Sequence, residues 1–353
     1  MSIEAIPKNK LNQNNFDLIR LFAASQVALL HSASHLNVHF DWLMPLSFFP
    51  GVPIFFFISG FLIFQSWENI QSSKVKIFFT NRFLRLYPAL YLCVFLTLGS
   101  VLLSGYLTNA NIGTEKLLIW LFTQLTCFQF YNPDFLRSYG VGAINGSLWT
   151  ISVELQFYLL IPLVAFVWKK NKKVSILLFG FFLLLNVLNS FLNQQNTIIE
   201  KLISVSFFPW IYMFLFGAYL STNKSIQEKI LKINWLFIVF GYFVVYYFSL
   251  KFNLGAGNSM NPVAFLFLSG FVFKVAYFKP HISDSILKKN DISYGVYIYH
   301  MPIVNFFLYK QFAGSLSSLF LAFLLTIIIA FISWKLVEKP ALNLKKTALR
   351  RYL

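Results

Sequence analysis

Ionisable side chains lie within long apolar stretches of this sequence, and the spacing of two of them predicts that they line one groove. In FDLIRLFAASQVALLHSASH, Arg20 and His31 are eleven positions apart, about three helical turns, so a helix would place both on one face. A neutral imidazole there can act as a general base or a nucleophile, and a guanidinium can stabilise a developing negative charge. Snorkelling of the two side chains towards opposite headgroup layers is the alternative interpretation.

A third ionisable group, Glu154, lies in the apolar stretch GSLWTISVELQFYLLIP, about one and a half turns from its start. A carboxylate at that depth costs on the order of 3 kcal/mol unless it is paired, and Arg20 and His31 are the candidate partners. Trp149 and Ser152 precede it on the same stretch, and we predict that they support a bound substrate. These residues extend the predicted site to a second helix.

Two other motifs can be explained either by contact with a substrate or by helix packing. The sequence DISYGVYIYHMPI repeats Tyr294, Tyr297 and His300 at intervals of three residues, which keeps them near one helical face. A single His within a membrane helix often forms only a packing hydrogen bond, so a substrate contact and a packing contact both remain open. In FFFISGFLI, Ser59 and Gly60 interrupt a bulky aromatic run and allow a neighbouring helix or a ligand to approach closely.

Charged side chains also mark the predicted inner surface of the membrane. In NRFLRLYP, Arg82 and Arg85 are one helical turn apart, and two guanidinium groups at that place suit a phosphate. Attraction to anionic lipid headgroups would favour the same pair, and the spacing does not decide between the two. In WKLVEKP, Glu338 closes the last apolar stretch, where we expect Lys335 and Lys339 to screen it at the surface.

The composition requires lipid around the helices that carry these residues. Of the 353 residues, 58% are hydrophobic and 12% charged, which leaves too few polar side chains to cover a soluble globule. Since apolar runs of about 20 residues cross a bilayer as helices, we predict an all-α polytopic membrane protein with a single domain, 1–353. The ten predicted spans are Phe16–His35, Leu46–Trp67, Tyr87–Ser104, Leu148–Trp168, Val174–Leu192, Val205–Leu220, Trp235–Leu250, Pro262–Phe278, Ile292–Phe312 and Leu316–Leu336.

The distribution of basic residues predicts the orientation of this bundle. With the N-terminus in the cytoplasm, most of the 29 Lys and Arg residues fall in inner segments, among them Lys8, Lys10 and Lys274. Both termini are therefore predicted to be cytoplasmic. Counting the apolar segment 117–131 as a span would invert the pattern, so we predict that it is re-entrant or interfacial. The net charge of +17 follows from this asymmetry and does not indicate a nucleic-acid partner.

Taken together, the motifs resemble those of the acyltransferase-3 family of integral membrane acyltransferases. Each motif is weak alone, but they occur in the family's order on a chain with ten predicted spans. The matching residues are Arg20 and His31 of the first helix, Ser59, Gly60 and Phe61 of ISGF, Arg82 and Arg85 of RxxR, Ser147, Leu148, Trp149, Ser152 and Glu154 of the SLWTLSVE-like helix start, Tyr294 and His300 of the SYGVYLxH-like helix, and the terminal VEKP.

This resemblance implies transfer of an acyl group, most commonly acetyl from cytoplasmic acetyl-CoA, to a hydroxyl of an envelope or exported carbohydrate such as capsule, O-antigen or exopolysaccharide. It implies a multi-pass protein of the bacterial inner membrane. His31 would be the base or the acyl acceptor, with Arg20 and Glu154 as its catalytic partners, and Arg82 and Arg85 would bind the CoA phosphates. Some family members carry a fused extracytoplasmic hydrolase-like domain, which we do not expect here.

Other classes of function stay open at this level. No metal is expected, because Cys93 and Cys127 form neither a disulfide framework nor a metal-binding pattern. A transporter or flippase of a glycan-assembly pathway could use Arg20, Glu154 and His31 as a path at the midplane. The sequence shows no inverted repeat, and transport does not explain the inner arginine pair. A structural scaffold, a homo-oligomer, other acyl donors and other acceptors are left open.

Overall fold

Helices form the long regular elements of this chain, as expected for a backbone that must satisfy its hydrogen bonds in lipid. The computed structural model describes residues 13–71, 74–109, 113–170, 172–192 and 197–350, so Lys8 and Lys10 lie outside the described residues. The helices are α1 (Phe16–His35), α2 (Met44–Ser47), α3 (Gly51–Glu68), α4 (Lys74–Leu103), α5 (Tyr106–Asn109), α6 (Thr114–Leu125), α7 (Trp149–Lys170), α8 (Lys172–Leu192), α9 (Ile198–Ser204), α10 (Ile211–Thr222), α11 (Lys224–Lys232), α12 (Trp235–Lys251), α13 (Pro262–Tyr277), α14 (Ile282–Leu287), α15 (Ser293–Tyr309), α16 (Leu316–Ser333) and α17 (Lys339–Arg350). Short 3-10 turns lie at Asp41–Leu43, Asp134–Leu136, Gly146–Leu148 and Gly257–Ser259, and a π-helical turn, Trp334–Glu338, joins α16 to α17.

Each of the ten predicted spans falls on a helix, namely α1, α3, α4, α7, α8, α10, α12, α13, α15 and α16. Among the described residues, four continuous helical stretches are long and apolar enough to cross a bilayer: Asp41–Glu68, Lys74–Leu103, Gly146–Lys170 and Leu316–Lys345. Helices α11 and α12, which are bent by 92° at a short break, would add a fifth if they form one span. The chain is therefore a multi-pass membrane protein, while the number of ten spans and the orientation remain predictions.

Helix α4 begins earlier than predicted. The third span was expected to start at Tyr87, but the helix starts at Lys74 and contains Pro88 in its interior. The charged residues before Tyr87 lower the hydropathy of that segment, yet most of them have good helix propensity and none breaks the helix. Arg82 and Arg85 are therefore held on the same rigid helix that continues into the apolar region.

The apolar segment 117–131 forms most of α6 and the turns that follow it. The twelve residues of α6 span about 18 Å, which is shorter than the roughly 30 Å hydrocarbon core. The helix packs against α4, and Leu118 and Phe122 are exposed on its other side. These dimensions are compatible with a re-entrant or interfacial segment, and that placement remains a prediction.

Residue contacts divide the chain into two compact units. The first unit comprises Met1–Ala23, Phe48–Asn69 and Leu159–Asp291, and the second comprises Ala24–Ser47, Ile70–Tyr158 and Ile292–Leu353. In the first unit, α3 and α10 approach closely, because a Cβ at Gly60 would collide with the carbonyl oxygen of Phe214. A Cβ at Gly217 would likewise collide with the carbonyl oxygen of Phe57. Helix packing thus accounts for the small residue beside the half-buried Ser59.

A buried lysine stabilises the bend between α11 and α12 in the first unit. Lys274 was predicted to lie at the inner surface, but its residue is only 4% exposed. Its ammonium group donates to the carbonyl oxygens of Leu231 and Ile233, both at 2.7 Å, and lies 5.0 Å from the centre of the Trp235 ring. The end of α11 leaves carbonyl groups without helical partners, and Lys274 satisfies them from α13. Its place on the inner side of the membrane remains a prediction.

Helix α15 is the buried centre of the second unit and packs against α4, α16 and the Gly146–Leu148 turn. Pro302 inside this helix has no N–H group, so the carbonyl of Ile298 loses its helical hydrogen bond. Two side chains from other elements replace that bond. The Asn145 amide donates to this carbonyl at 2.8 Å, and the Cys93 thiol donates to it at 3.2 Å. The helix therefore continues through Pro302 without leaving the carbonyl of Ile298 unsatisfied.

The loop that precedes α7 is attached to the far end of α15 by Asn305, which is completely buried. Its amide nitrogen donates to the carbonyl oxygens of Ala143 and Ile144, at 3.0 and 2.8 Å, and its amide oxygen accepts from the Val141 N–H at 2.8 Å. Gly140 has φ +59 and no room for a Cβ against Asn305. This loop is thus held rigidly where it leads into α7.

Candidate active site

The second unit brings two predicted site residues into direct contact. Nδ1 of His31 on α1 lies 3.1 Å from Nε2 of His300 on α15, and Nδ1 of His300 lies 2.7 Å from the carbonyl oxygen of Tyr297. The His300 side chain has no exposed surface, whereas His31 is half-buried. His300 therefore contacts the imidazole that the sequence predicted to be at the centre of the chemistry.

The hydrogen bonds assign the tautomers of this pair. The carbonyl of Tyr297 can only accept, so Nδ1 of His300 must carry a proton. A second proton on the completely buried His300 ring would be unfavourable, so its Nε2 is an acceptor and Nδ1 of His31 donates to it. The lone pair of His31 is consequently on Nε2. That nitrogen can take a proton from a hydroxyl group or form a bond to an acyl carbon.

Hydrogen bonds join the start of α7 to α15 close to these histidines. The Tyr297 hydroxyl is hydrogen-bonded to the Thr150 hydroxyl at 2.9 Å and donates to the carbonyl oxygen of Ser147 at 3.2 Å. Ser152 donates to the amide oxygen of Gln129 at 2.7 Å and so attaches the segment after α6. The half-buried Trp149 opens α7. Ser147, Thr150 and Ser152 thus link the start of α7 to α15 and to the segment after α6.

Glu154 lies about one and a half turns inside α7, as predicted, and is half-buried. Tyr158, one turn further along, donates a short hydrogen bond to its carboxylate. The carboxylate is also close enough to act electrostatically on the hydroxyl groups of Tyr294 and Tyr297. Glu154 therefore belongs to a polar cluster with three tyrosines.

Arg20 forms an ion pair that the sequence analysis did not anticipate. Its guanidinium lies 3.0 Å from the carboxylate of Asp291, and the two side chains are 19% and 12% exposed. Glu154 was the partner considered for Arg20, but the carboxylate found beside Arg20 belongs to Asp291. The sequence could have indicated this partner, since the carboxylate of Asp291 lies two residues before the SYGVYIYH motif. Both residues of the pair lie in the first unit.

The two arginines of the RxxR motif are both half-buried on α4. The Arg82 guanidinium lies 5.6 Å from the centre of the Phe78 ring and 5.9 Å from the centre of the Tyr158 ring. Stacking on aromatic faces is a favoured environment for a guanidinium. Arg82 therefore contacts the same tyrosine that donates to Glu154, so the arginine pair continues into the polar cluster.

Glu338 is buried, which contradicts the prediction that it is screened at the inner surface. The residue is 2% exposed, and its carboxylate accepts from the Ser333 hydroxyl at 3.2 Å. The Tyr299 hydroxyl in turn donates to Ser333 at 2.8 Å. Lys335, which was expected to screen Glu338, lies over the Phe331 ring. The π-helical turn at Trp334–Glu338 changes the angular position of the carboxylate, and helical periodicity cannot predict that change.

Tyr294 has a buried hydroxyl group without a hydrogen-bond partner among the described residues. The residue is 5% exposed, and within the described part of the chain its hydroxyl has no hydrogen-bond partner. The carboxylates of Glu154 and Glu338 both lie near enough to act on it electrostatically. A buried hydroxyl without a partner is unfavourable, so a substrate atom that accepts a hydrogen bond there would be stabilised.

Comparison with known proteins identifies the family of this chain. Residues 13–335 match the acyltransferase domain of the acyltransferase-3 family. The chain is 29% identical to Nodulation protein 10 of Rhizobium leguminosarum bv. viciae, with 97% of this chain and 96% of that protein aligned. It is 27% identical to an O-acetyl transferase of Shigella phage Sf6, over 94% of this chain and 96% of the other.

A peptidoglycan O-acetyltransferase of Listeria monocytogenes is 35% identical over 150 residues, which are 40% of this chain and 23% of that protein. No solved structure matches the chain. Because the family match covers most of the sequence, including the two histidines, the arginine pair and Glu154, the protein belongs to the acyltransferase-3 family of acyl-transferring enzymes.

Proposed function

We propose that this enzyme is a membrane O-acyltransferase that moves an acetyl group from acetyl-CoA to a hydroxyl of an envelope or exported carbohydrate. The observation that carries the proposal is the contact between His31 and His300, because it leaves a lone pair on a half-buried imidazole. The phage relative is named for O-acetyl transfer, which supports the reaction. The Listeria relative is named for peptidoglycan O-acetylation, which supports a carbohydrate acceptor.

The lone pair on Nε2 of His31 can take part in acyl transfer by two reaction routes. In the direct route, Nε2 takes the proton of the acceptor hydroxyl while the hydroxyl oxygen attacks the thioester carbonyl carbon. A C–O bond forms, the C–S bond breaks, and the proton passes from His31 to the departing thiolate. In the two-step route, Nε2 attacks the thioester carbonyl carbon, a C–N bond forms, and the C–S bond breaks to release the CoA thiolate. The acceptor hydroxyl then attacks the acyl carbon, the C–N bond breaks to restore the His31 lone pair, and the hydroxyl proton passes to the thiolate. The choice between the two routes remains open.

The donor would extend along the second unit. Arg82 and Arg85 are proposed to bind its phosphates, because two planar guanidinium groups one turn apart can each form paired hydrogen bonds to phosphoryl oxygens. Tyr294 precedes His300 by six residues, about 9 Å along the helix axis, so its hydroxyl would contact the donor some distance from the thioester carbon. Glu154 would hold Tyr158, on whose ring Arg82 stacks, and would thereby position the arginine pair that binds the phosphates.

The remaining predicted residues take supporting roles in this proposal. Ser152 and Trp149 would position α7, and Ser59 would support the site from α3, beside the close helix contact at Gly60. Arg20 remains a predicted catalytic residue, and its ion pair with Asp291 would hold its guanidinium in one orientation.

The proposed topology has ten spans with both termini in the cytoplasm of a bacterial inner membrane. Arg82 and Arg85 would then lie on the side where acetyl-CoA is available. Within the second unit, polar groups continue from Arg82 through Tyr158 and Glu154 to Tyr297. Such a continuous polar interior supports a donor that enters from the inner side. The family match does not favour the transporter interpretation.

The test is a transfer assay with purified protein in nanodiscs, radiolabelled acetyl-CoA and a glycan extract from the source cells. His31→Ala is expected to lower CoA release and label transfer by roughly 10²- to 10⁴-fold, the usual contribution of a positioned acid–base group. The matched control is His39→Ala, which removes an imidazole from an exposed loop position and is expected to leave the rate unchanged.

Either of two results would contradict the proposal. If the wild-type protein neither binds acetyl-CoA nor releases CoA, the proposed donor is wrong. If His31→Ala transfers label at the wild-type rate with normal expression, His31 is not the catalytic base, and the site must be sought elsewhere in the chain.

A further inference from the structure

The C-terminal helix α17 lies next to the arginine pair. Its sequence, KPALNLKKTALR, contains no acidic residue, and the helix packs against α4, which carries Arg82 and Arg85. Lys345, in the middle of α17, is half-buried rather than exposed to solvent. A lysine on a surface helix usually extends into water, so the partial burial of this one requires an explanation.

The surroundings of Lys345 make its burial more unusual. The charges of Arg82 and Arg85 are both near enough to oppose the charge on its ammonium group. Three like charges that are partly shielded from solvent repel one another more strongly than they would in water. A bound anion would convert this repulsion into attraction, because it would lie between the cations.

We propose that Lys345 completes a phosphoryl-binding site with Arg82 and Arg85, so that the C-terminal helix forms one wall of the site for the CoA donor. This inference rests on the proposed acyltransferase function. Two guanidinium groups supply paired hydrogen bonds to phosphoryl oxygens, and the ammonium group supplies a third positive charge from a different helix. A phosphoryl group with two negative charges matches this arrangement better than a single carboxylate does.

The same chemistry could come from the phosphate of an anionic lipid headgroup, so the experiment must separate the two sources. We would measure KM for acetyl-CoA, and CoA binding by calorimetry, for the wild type, Lys345→Gln and Lys345→Arg in nanodiscs of phosphatidylcholine. Lys339→Gln is the matched control, since Lys339 lies on the same helix but is exposed. A parallel series in nanodiscs that contain phosphatidylglycerol tests for lipid competition.

Lys345→Gln is expected to raise KM and weaken CoA binding by about tenfold or more, the effect of losing one hydrogen bond to a charged group, with kcat nearly unchanged. Lys345→Arg should retain most of the affinity, and Lys339→Gln should retain all of it. A donor without the 3′-phosphate, acetyl-dephospho-CoA, shows which phosphate the site holds. If its KM exceeds that of acetyl-CoA in the wild type but not in Lys345→Gln, Lys345 contacts the 3′-phosphate. If KM rises equally in both, Lys345 contacts the diphosphate.

Two outcomes would overturn the inference. If Lys345→Gln and Lys339→Gln have the same KM and the same CoA affinity as an active wild type, Lys345 is not part of the donor site, and the acyltransferase proposal is unaffected. If Lys345→Gln leaves CoA affinity unchanged in phosphatidylcholine but abolishes an effect of phosphatidylglycerol on thermal stability, the site binds lipid headgroups. A wild type that neither binds CoA nor releases it would instead refute the proposed function.

Discussion

Substitution of His300 by Phe tests whether the second histidine positions the first. His300 has no exposed surface and accepts a hydrogen bond from Nδ1 of His31. Phenylalanine has a similar shape but no acceptor atom, so the Nδ1–H of a half-buried His31 would lose its partner. An unsatisfied donor of this kind lowers the free energy of unfolding by about 1–3 kcal/mol.

The substitution should also lower the rate of catalysis. Without His300, the proton of His31 can move to Nε2, and the ring can rotate, so a smaller fraction of molecules presents the lone pair to the substrate. Loss of a residue that orients a catalytic imidazole lowers the rate by roughly 10- to 10⁴-fold in other enzymes, and we expect about 10²-fold in kcat. KM for the donor should change little, because the phosphate-binding residues lie on α4 and α17.

The assay compares kcat, KM and the thermal unfolding midpoint of the wild type, His300→Phe and His300→Gln in nanodiscs. Glutamine keeps an acceptor oxygen near the position of Nε2, so His300→Gln should regain part of the lost kcat. A purely structural role would lower the unfolding midpoint of both variants without this recovery. If His300→Phe has wild-type kcat and wild-type stability, the assignment of the His31 tautomer is wrong.

The remaining predictions concern stability in the first unit and one helix of the second. Asp291→Asn should destabilise the protein by about 2 kcal/mol, because it leaves the partly buried Arg20 without its countercharge, whereas Asp134→Asn removes an exposed ion pair and should change the unfolding midpoint very little. Equal midpoints for these two variants would refute the importance of the buried pair. Gly60→Ala should lower expression and stability, since its Cβ meets the backbone of α10, while Gly99→Ala, which has open space, should be stabilising by about 0.5–1 kcal/mol. Thermal unfolding in the same detergent measures both, and a neutral Gly60→Ala would show that α3 and α10 can separate.

Local patterns in the sequence were sufficient for much of this protein. The apolar runs predicted the positions of ten helices, and the start of α12 at Trp235 and both ends of α1 agree with the prediction. The motifs identified the family, and the spacing of Tyr294, Tyr297 and His300 placed them on one helix. These properties depend on periodicity and composition over short segments, which a sequence displays directly.

The partner of each polar group was decided by tertiary structure. Periodicity could not show that His31 contacts His300, or that Arg20 contacts Asp291, because these residues are more than 260 positions apart in the chain. It also could not show that Glu338 and Lys274 are buried. A charged side chain in lipid must find a partner, but helices from many parts of the chain can supply one. Only their packing decides which of them does, so the sequence by itself predicted which residues carry the chemistry, and the fold determined how they are arranged.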